Sequence, residues 1–390
     1  MQAKVRNKHE IKTITEKKTI AANIIDAMIK HSSFLIIGHE NPDTDCVSAM
    51  AGFALLLKKI SASKAGPKEA YLYLAVGVQE QFNYLLAICK YNGIKIIYGD
   101  SEIPADIDAI ATMDTAKPSM LAVNESIGAL LDNKDIRKIE VDHHLEGDAA
   151  YIGDEGYALV SEASSACELL GYLAYKLSRR PEFKDIDFSS RNIVLVLLTG
   201  IVGDSRMGRY LKSNKERWYY KHFSKMFDHL LVEKTYKGSN NLASMEAVFE
   251  AVQRFSVGEK KCFDFFHENK KTEGPLGYVF LDKAQSDELF ERYHRDDIVF
   301  VARTLTDSLV DESGKYGAVA YIEADNIQFR IRRNAKIITT DLRQMLKKLD
   351  IKNGGGHPGA IAFKIPLEGI TDVKAFYADF VKRIVGCWGE

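Results

Sequence analysis

Two short segments of the chain bring metal-ligating side chains close together in sequence. The first, Gly38-His39-Glu-Asn-Pro-Asp43-Thr-Asp45, offers an imidazole and two carboxylates in one loop. A neutral imidazole beside ionised carboxylates suits a borderline divalent cation. An Asn-Pro-Asp loop is equally a turn whose aspartates cap the following helix. The second segment, Asp142-His143-His144, sets two histidines side by side. On an extended chain adjacent side chains point to opposite sides. One histidine is therefore expected on an ion and the other towards a substrate. A polar loop with a structural histidine is the plainer alternative. Asp114, after Ile-Ala-Thr-Met, and Asp204, in Gly200-Ile-Val-Gly-Asp204-Ser, close apolar runs. Each alone reads first as a capping residue.

Further along, Gly354, Gly355, Gly356 and His357 form a run followed by Pro358 and Gly359. Successive glycines let backbone N–H groups line an anion, because no side chain blocks close approach. His357 can add a donor. A flexible hairpin turn is the alternative, weakened because the run joins a helix to a strand. It is not a dinucleotide-binding fingerprint, since it does not open a helix after a strand. Phe329-Arg330-Ile331-Arg332-Arg333 reads as a strand. Period-two alternation puts Arg330 and Arg332 on one face and Phe329 and Ile331 on the other. Two guanidinium groups on one face suit a phosphate or a stacked base. A solvated basic face fits equally well.

These residues need elements to carry them, and the hydrophobic pattern supplies a set. Helical spacing is expected over 19–29, 47–59 and 80–91. Short apolar runs at 34–37, 71–76, 94–98, 107–113 and 139–141 read as strands. Alternating strands and helices imply an α/β layered domain with a mainly parallel sheet. The polar residues of interest fall at the carboxyl ends of those strands, the edge where open α/β sheets bind ligands. Ser165-Ala-Cys-Glu168 is a capping-box pattern opening a helix to about 177. The apolar run 193–198 is buried as either helix or strand. Residues 209–257 are charged and largely helical. Beyond Gly277, strands are expected at 278–281, 298–303, 317–322, 327–331 and 360–365, with a helix over 340–348. The expected organisation is a first domain over 1–235, a helical linker over 236–272 and a second, smaller α/β domain over 273–390.

Composition narrows the function classes. With 53 Lys+Arg against 54 Asp+Glu the net charge is −1, which argues against a polybasic nucleic-acid coat or a membrane-surface binder. The most apolar stretch, 193–202, is far short of the roughly 20 residues that span a bilayer. The start of the chain is rich in Lys and Glu, and no apolar signal core follows. The odd, widely spaced cysteines Cys46, Cys89, Cys167, Cys262 and Cys387 predict a reducing cytoplasm without a disulfide framework.

Taken in this order, the motifs resemble those of the DHH phosphoesterase superfamily, named for the signature seen here as Asp142-His143-His144. The tail with Gly354 to His357 is similar to the DHHA1 domain of nanoRNase/pAp phosphatases, RecJ exonucleases and cyclic-dinucleotide phosphodiesterases. The resemblance covers roughly 20–210 and 275–365. It implies a catalytic DHH domain, a DHHA1 substrate-binding domain and an active site in the cleft between them. It implies two divalent ions, Mn²⁺ rather than Mg²⁺ because each site contains a histidine. His39, Asp43 and Asp114 would hold one, and Asp45, Asp114, His143 and Asp204 the other, with Asp114 bridging. Asp142 would orient a histidine, and His144 would face the phosphate. Arg330, Arg332, the three glycines and His357 would hold the nucleotide part of the substrate. The implied substrates are short: nanoRNA, pAp or linear and cyclic dinucleotides. No track for a long nucleic acid and no membrane contact are expected, and a homodimer is compatible with the sequence. The first motif is closer to family II inorganic pyrophosphatases, so hydrolysis of pyrophosphate or polyphosphate ranks second. A RecJ-like exonuclease ranks below it, for want of room for a further nucleic-acid-binding domain. Cys46 stands where a smaller or hydroxyl residue is usual, and Pro358-Gly359-Ala360-Ile361 departs from the usual nanoRNase tail.

Overall fold

The computed structural model describes residues 6–63, 65–145, 148–208, 211, 213–236, 242–334, 336–337 and 339–387, with the side chains of Asp296 and His357 outside that description. The chain divides into two compact units, Met1–Arg254 and Phe255–Glu390.

The first unit runs α1 (Ile14–Lys30), β1 (Ser33–Ile37), α2 (Thr44–Ser61), β2 (Glu69–Leu74), α3 (Asn83–Tyr91), β3 (Lys95–Tyr98), β4 (Ala109–Met113), α4 (Glu125–Asp132), β5 (Arg137–Asp142), β6 (Ala158–Val160), α5 (Ala166–Ser178), α6 (Arg191–Ser205), α7 (Asn214–Lys234) and α8 (Met245–Gln253). Its strands form one sheet in the order β3-β2-β1-β4-β5-β6. Every neighbouring pair is parallel. Parallel strands need crossover helices, and the helices cover both faces. Phe34 and Ile36 of β1 enter the large cluster with α2, α5 and α6, while Leu35 and Ile37 enter a second cluster with Ile127 of α4. This is why β1 reads as an unbroken apolar run. Each such side chain contributes about 1.5–3 kcal/mol by leaving water. The strand order reverses between β1 and β4, where the crossovers leave in opposite directions and a crevice opens at the carboxyl edge.

The second unit runs α9 (Val257–Glu268), β7 (Lys271–Glu273), β8 (Leu276–Phe280), α10 (Lys283–Arg292), α11 (Arg295–Ser313), β9 (Tyr316–Glu323), β10 (Asn326–Arg333), α12 (Leu342–Lys348), β11 (Gly354–His357), β12 (Ala360–Pro366) and α13 (Val373–Gly386). The sheet order is β11-β12-β10-β9-β8-β7. It is antiparallel except for the parallel β8–β9 pair. One face packs on α12 and α13 around Phe329, Ile331 and Phe380. The other packs on α9, α10 and α11 around Val279, Val319 and Tyr321.

The α/β class and the parallel first sheet agree with the sequence reading, and several details differ. The strand expected at 298–303 is part of helix α11. Ile298, Val301, Ala302, Leu305 and Leu309 are all buried, which is helical spacing. Within a window as short as 298–303 the β-branched residues concealed it. The apolar run at 193–198 is helix, inside α6. The segment 236–272 carries α8, which packs on α6, and α9, which packs on α11. Among the described residues no helix is long and apolar enough to cross a membrane.

Candidate metal centre

Three adjacent strands of the first sheet deliver the candidate ligands. β1 ends at Ile37, and Gly38 follows because α2 approaches closely there. A Cβ on Gly38 would lie 2.2 Å from the Cys46 sulfur. His39 is held by an isolated antiparallel bridge to Leu121. Asp43 is the N-cap of α2, and its Oδ1 accepts from the backbone N–H groups of Asp45 (3.1 Å) and Cys46 (3.3 Å). The capping role weighed from sequence is therefore real for Asp43. β4 ends at Met113, and Asp114 turns into the left-handed region with φ of 48°. That conformation costs about 1 kcal/mol, less for Asp than for a branched residue. β5 ends at Asp142, with His143 and His144 following it.

Asp45 and Asp204 arrive from helices. Asp45 lies in the first turn of α2. Its carboxylate accepts from Ala166 N–H (2.6 Å) and Cys167 N–H (3.2 Å) at the start of α5, where unsatisfied amides and the helix dipole favour an anion. Ser165 caps that helix by accepting from Glu168 N–H, but the reciprocal arm shifts by one residue: the Glu168 side chain takes Ser164 N–H at 2.9 Å. Asp204 lies in the last turn of α6. Glycines let α6 pass close by, since a Cβ on Gly200 would meet the Cys167 sulfur at 2.3 Å and Asp45 Oδ1 at 2.5 Å.

These groups converge on His143. Its Nε2 lies 3.3 Å from Asp114 Oδ1, 3.6 Å from Asp204 Oδ2 and 4.0 Å from Asp45 Oδ2. Its Nδ1 lies 3.1 Å from the Ala163 carbonyl, which can only accept, so Nδ1 carries a proton. In the neutral ring a lone pair on Nε2 then faces three carboxylates. That arrangement requires a positive charge among them. Burial opposes protonation of His143, yet Asp114, Asp204 and Asp45 outweigh it and hold its pKa well above the usual range. Burial, then Asp114 and Asp204, push the Asp45 carboxyl up. Asp114 Oδ1 is buried and has no hydrogen-bond partner among the described residues. A bound divalent cation would answer each of these at once, so the residues fit one.

Three groups have donor atoms within 4.8 Å of one another: Asp45, His143 and Asp204; Asp114, His143 and His144; and His39, Cys46 and Asp114. Five of the six metal ligands expected from sequence therefore fall into clusters that share Asp114 or His143. Asp43 belongs to none of the three, and Cys46, noted in the sequence only as a departure, takes its place beside His39. The expectation that His143 and His144 point to opposite sides is corrected. Their ring centroids are 4.5 Å apart, and both rings reach Asp114 Oδ1, His144 Nδ1 at 3.6 Å. The strand ends at Asp142, so the alternation of a pleated chain no longer applies to 143–144. His144 Nδ1 is 2.7 Å from Asp142 Oδ1. Asp142 is buried, but His144 and Lys8 keep its carboxyl well below the usual range.

Sequence reasoning missed Lys8. Its Nζ lies 2.6 Å from Asp142 Oδ2, 2.6 Å from the Thr115 carbonyl and 2.7 Å from Glu140 Oε1. A lysine in a charged leading segment gives no local sign of burial.

In the second unit β10 alternates as expected, with Ile327, Phe329 and Ile331 buried and Gln328, Arg330 and Arg332 only partly so. A pocket of about 170 Å³ is lined by Arg303, Thr306, Arg330, Arg332, Gly355 and Gly356, among others. Arg303, from the helix mistaken for a strand, is an addition. Arg332 is 2.6 Å from Asp307 Oδ1, and Arg330 hydrogen-bonds Tyr321. The glycine run is not a turn but the edge strand β11, paired Gly354↔Phe363 to His357↔Ala360, with the turn at Pro358 and Gly359. Gly356 has φ of 137° and no room for a side chain, because a Cβ would lie 2.2 Å from Ala360 O. Gly354 faces Phe363 and Leu346. The side chain of His357 lies outside the described residues.

Residues 33–201 match the model described as the DHH family, N-terminal domain. A search of curated proteins finds no match. Among solved structures, the chain is similar to a DHH domain from a member of the s1p family of ribosomal proteins (15% identity, 95% of this chain and 92% of that one, TM-score 0.47). It is also similar to a putative family II inorganic pyrophosphatase from Methanococcus jannaschii (13%, 87% and 96%, TM-score 0.38). A third is the pGpG-specific phosphodiesterase PggH from Vibrio cholerae (15%, 91% and 99%, TM-score 0.36).

Proposed function

We infer, from the premise that residues 33–201 belong to the DHH family, that this chain is a divalent-metal-dependent hydrolase of phosphate esters or anhydrides. The observation that carries the reading is the convergence of Asp45, Asp114 and Asp204 on His143 Nε2, with Asp114 Oδ1 buried and without a hydrogen-bond partner among the described residues. A bound cation relieves clustered like charge of this kind. Asp45, Asp114, His143 and Asp204 would hold one ion; His39 and Asp114, with Cys46 or Asp43, would hold the second. Two such ions supply Lewis-acid stabilisation of a phosphoryl group and a water acidified to act at neutral pH. We favour Mn²⁺ over Mg²⁺ because imidazole, and a thiol at one site, suit a softer ion.

The chain's own residues would do the rest. His143 is held by the Ala163 carbonyl, so its Nε2 stays turned towards the carboxylates. His144, hydrogen-bonded through Nδ1 to Asp142, would turn Nε2 towards the substrate, where it can donate to a phosphoryl oxygen or to the departing oxygen. The arginines of the second unit would take a phosphate or base of a nucleotide. We therefore favour short nucleotides, such as di- to tetranucleotides, pAp or cyclic dinucleotides, in a reducing cytoplasm, which five free cysteines support. The first motif, with His39, Asp43 and Asp45, keeps pyrophosphate as the second reading.

The test is a side-by-side assay of pyrophosphate, a 5′-phosphorylated dinucleotide, pAp and a long single strand, with Mn²⁺ and with Mg²⁺. Preference for the dinucleotide or pAp with Mn²⁺ supports the first reading. Pyrophosphate as the best substrate selects the second, and a rate that rises with strand length rejects both.

A further inference from the structure

The leading segment of the chain forms a strap across the carboxyl side of the first sheet. Lys8 N–H donates to Ala149 O (2.9 Å), Tyr151 N–H donates to Arg6 O (2.8 Å), and Asn7 bridges Ala150. Glu10 continues the strap by accepting from Glu162 N–H at 2.5 Å and Ser161 Oγ at 3.0 Å. Held this way, the Lys8 side chain is wholly buried, at 0% exposure.

The Lys8 ammonium donates to the Thr115 carbonyl and Asp142 Oδ2 and forms an ion pair with Glu140 Oε1. Thr115 O follows Asp114 at the end of β4, and Asp142 Oδ2 ends β5, so one nitrogen ties together two of the three strand ends that carry the candidate centre. The third target, Glu140 Oε1, sits one turn of the pleat below Asp142 on the same face. The other Glu140 oxygen takes the N–H groups of Ile152 (2.9 Å) and Gly153 (2.8 Å). The other Asp142 oxygen, Oδ1, is the one 2.7 Å from His144 Nδ1.

We propose that Lys8 is a positioning residue for His144: it grips Asp142 by Oδ2, fixes Oδ1 on His144 Nδ1–H and so keeps His144 Nε2 turned towards the substrate. The proposal rests on the reading that His144 acts on a phosphoryl substrate, but its structural half can be tested without that reading. Lysine suits the task because a long stem crosses from the strap to the sheet while a single charge balances the buried carboxylates beside it.

The experiment uses the full chain with Lys8→Met, which keeps length and removes charge, and Lys8→Met/Glu140→Gln, which removes one buried carboxylate as well, so that folding survives. Glu140→Gln alone is the control. Two readouts are taken. In metal-free protein, ¹⁵N-edited NMR follows the His144 Nδ1–H proton, expected downfield and protected from exchange in the parent and in Glu140→Gln, and lost in the double variant. In the metal-loaded protein, kcat and KM are measured on a dinucleotide. The double variant should lose about 10–100-fold in kcat with KM within about twofold, the size typical of losing a residue that orients a catalytic or ligating histidine. A protected Nδ1–H and unchanged kcat in the double variant would overturn the proposal and leave Lys8 as an anchor of the strap. Loss of the Nδ1–H signal with unchanged kcat would uphold the positioning but sink the role of His144 in the reaction. A His144→Gln variant with normal kcat would identify that second failure independently.

Discussion

The two sheets have the same number of strands and handle charge in opposite ways. The first is parallel throughout, and its candidate ligands gather at the carboxyl edge. Asp45, Asp114, Asp204 and His143 are crowded there with little water. The second sheet is mostly antiparallel, and β10 alternates apolar with cationic residues. Its charges lie on a face, spaced by the pleat, with Asp307 beside Arg332 and Tyr321 beside Arg330. A parallel sheet thus concentrates charge to a point, as an ion site needs. An antiparallel one spreads it along a surface, as recognition of an extended anion needs.

The largest test of that contrast is Asp114→Asn, which keeps the shape and the tolerance for a left-handed backbone. Turnover should fall by about 10³-fold, some 4 kcal/mol of transition-state stabilisation. The metal-free protein should become more stable in urea, because a carboxylate facing Asp45 and Asp204 has gone. If it became less stable, Asp114 would be a structural residue and the first sheet no different from the second.

Glu168 extends the comparison to a buried carboxyl outside the cluster. Burial raises its pKa from 4.5 to about 7, against the opposing hydrogen bonds from Ser164. The folded state holds its proton more tightly than the unfolded one. The contribution to stability is therefore complete below about pH 4.5 and lost as pH rises to about 7, about 3 kcal/mol in all. Glu168→Gln should flatten the pH dependence over this window and be the more stable protein at pH 8, as measured by urea unfolding across pH. A variant with the parent's slope would mean that other groups titrate there.

Gly200→Ala should cost about 1–3 kcal/mol by overpacking, and because the new methyl meets Asp45 Oδ1 it should also weaken metal binding measured by calorimetry. Stability lost without any change in metal affinity would detach α6 from the ion site. The smallest effect is expected in the second unit. Arg330→Ala should raise KM for a dinucleotide about tenfold, roughly 1.4 kcal/mol, and leave an artificial phosphodiester without a nucleotide little changed. Equal losses on both would make Arg330 a support of the fold.

Much of the first sheet was legible because parallel strands buried on both faces leave unbroken apolar runs, as in 34–37 and 107–113. The ends of those runs mark the carboxyl edge of the sheet, and His39, Asp114 and Asp142 stand there in the sequence as in the structure. The second unit was less legible. A β-branched stretch at 298–303 looks the same on a buried helix as on a strand, and three glycines carry no side-chain pattern to tell an edge strand from a turn.

Local periodicity in the sequence settles the class of fold, the strand-end positions of His39, Asp114 and His143 and the facing of Arg330 and Arg332. Tertiary structure alone decided which ligands meet. It brought α6 close enough to set Asp204 beside His143, and turned His143 and His144 to the same side once the strand had ended. It also placed Lys8 beside Asp142, which lies 134 residues further along the chain. A contact at that separation depends on how the strap crosses the sheet, and no residue near Lys8 in sequence encodes it.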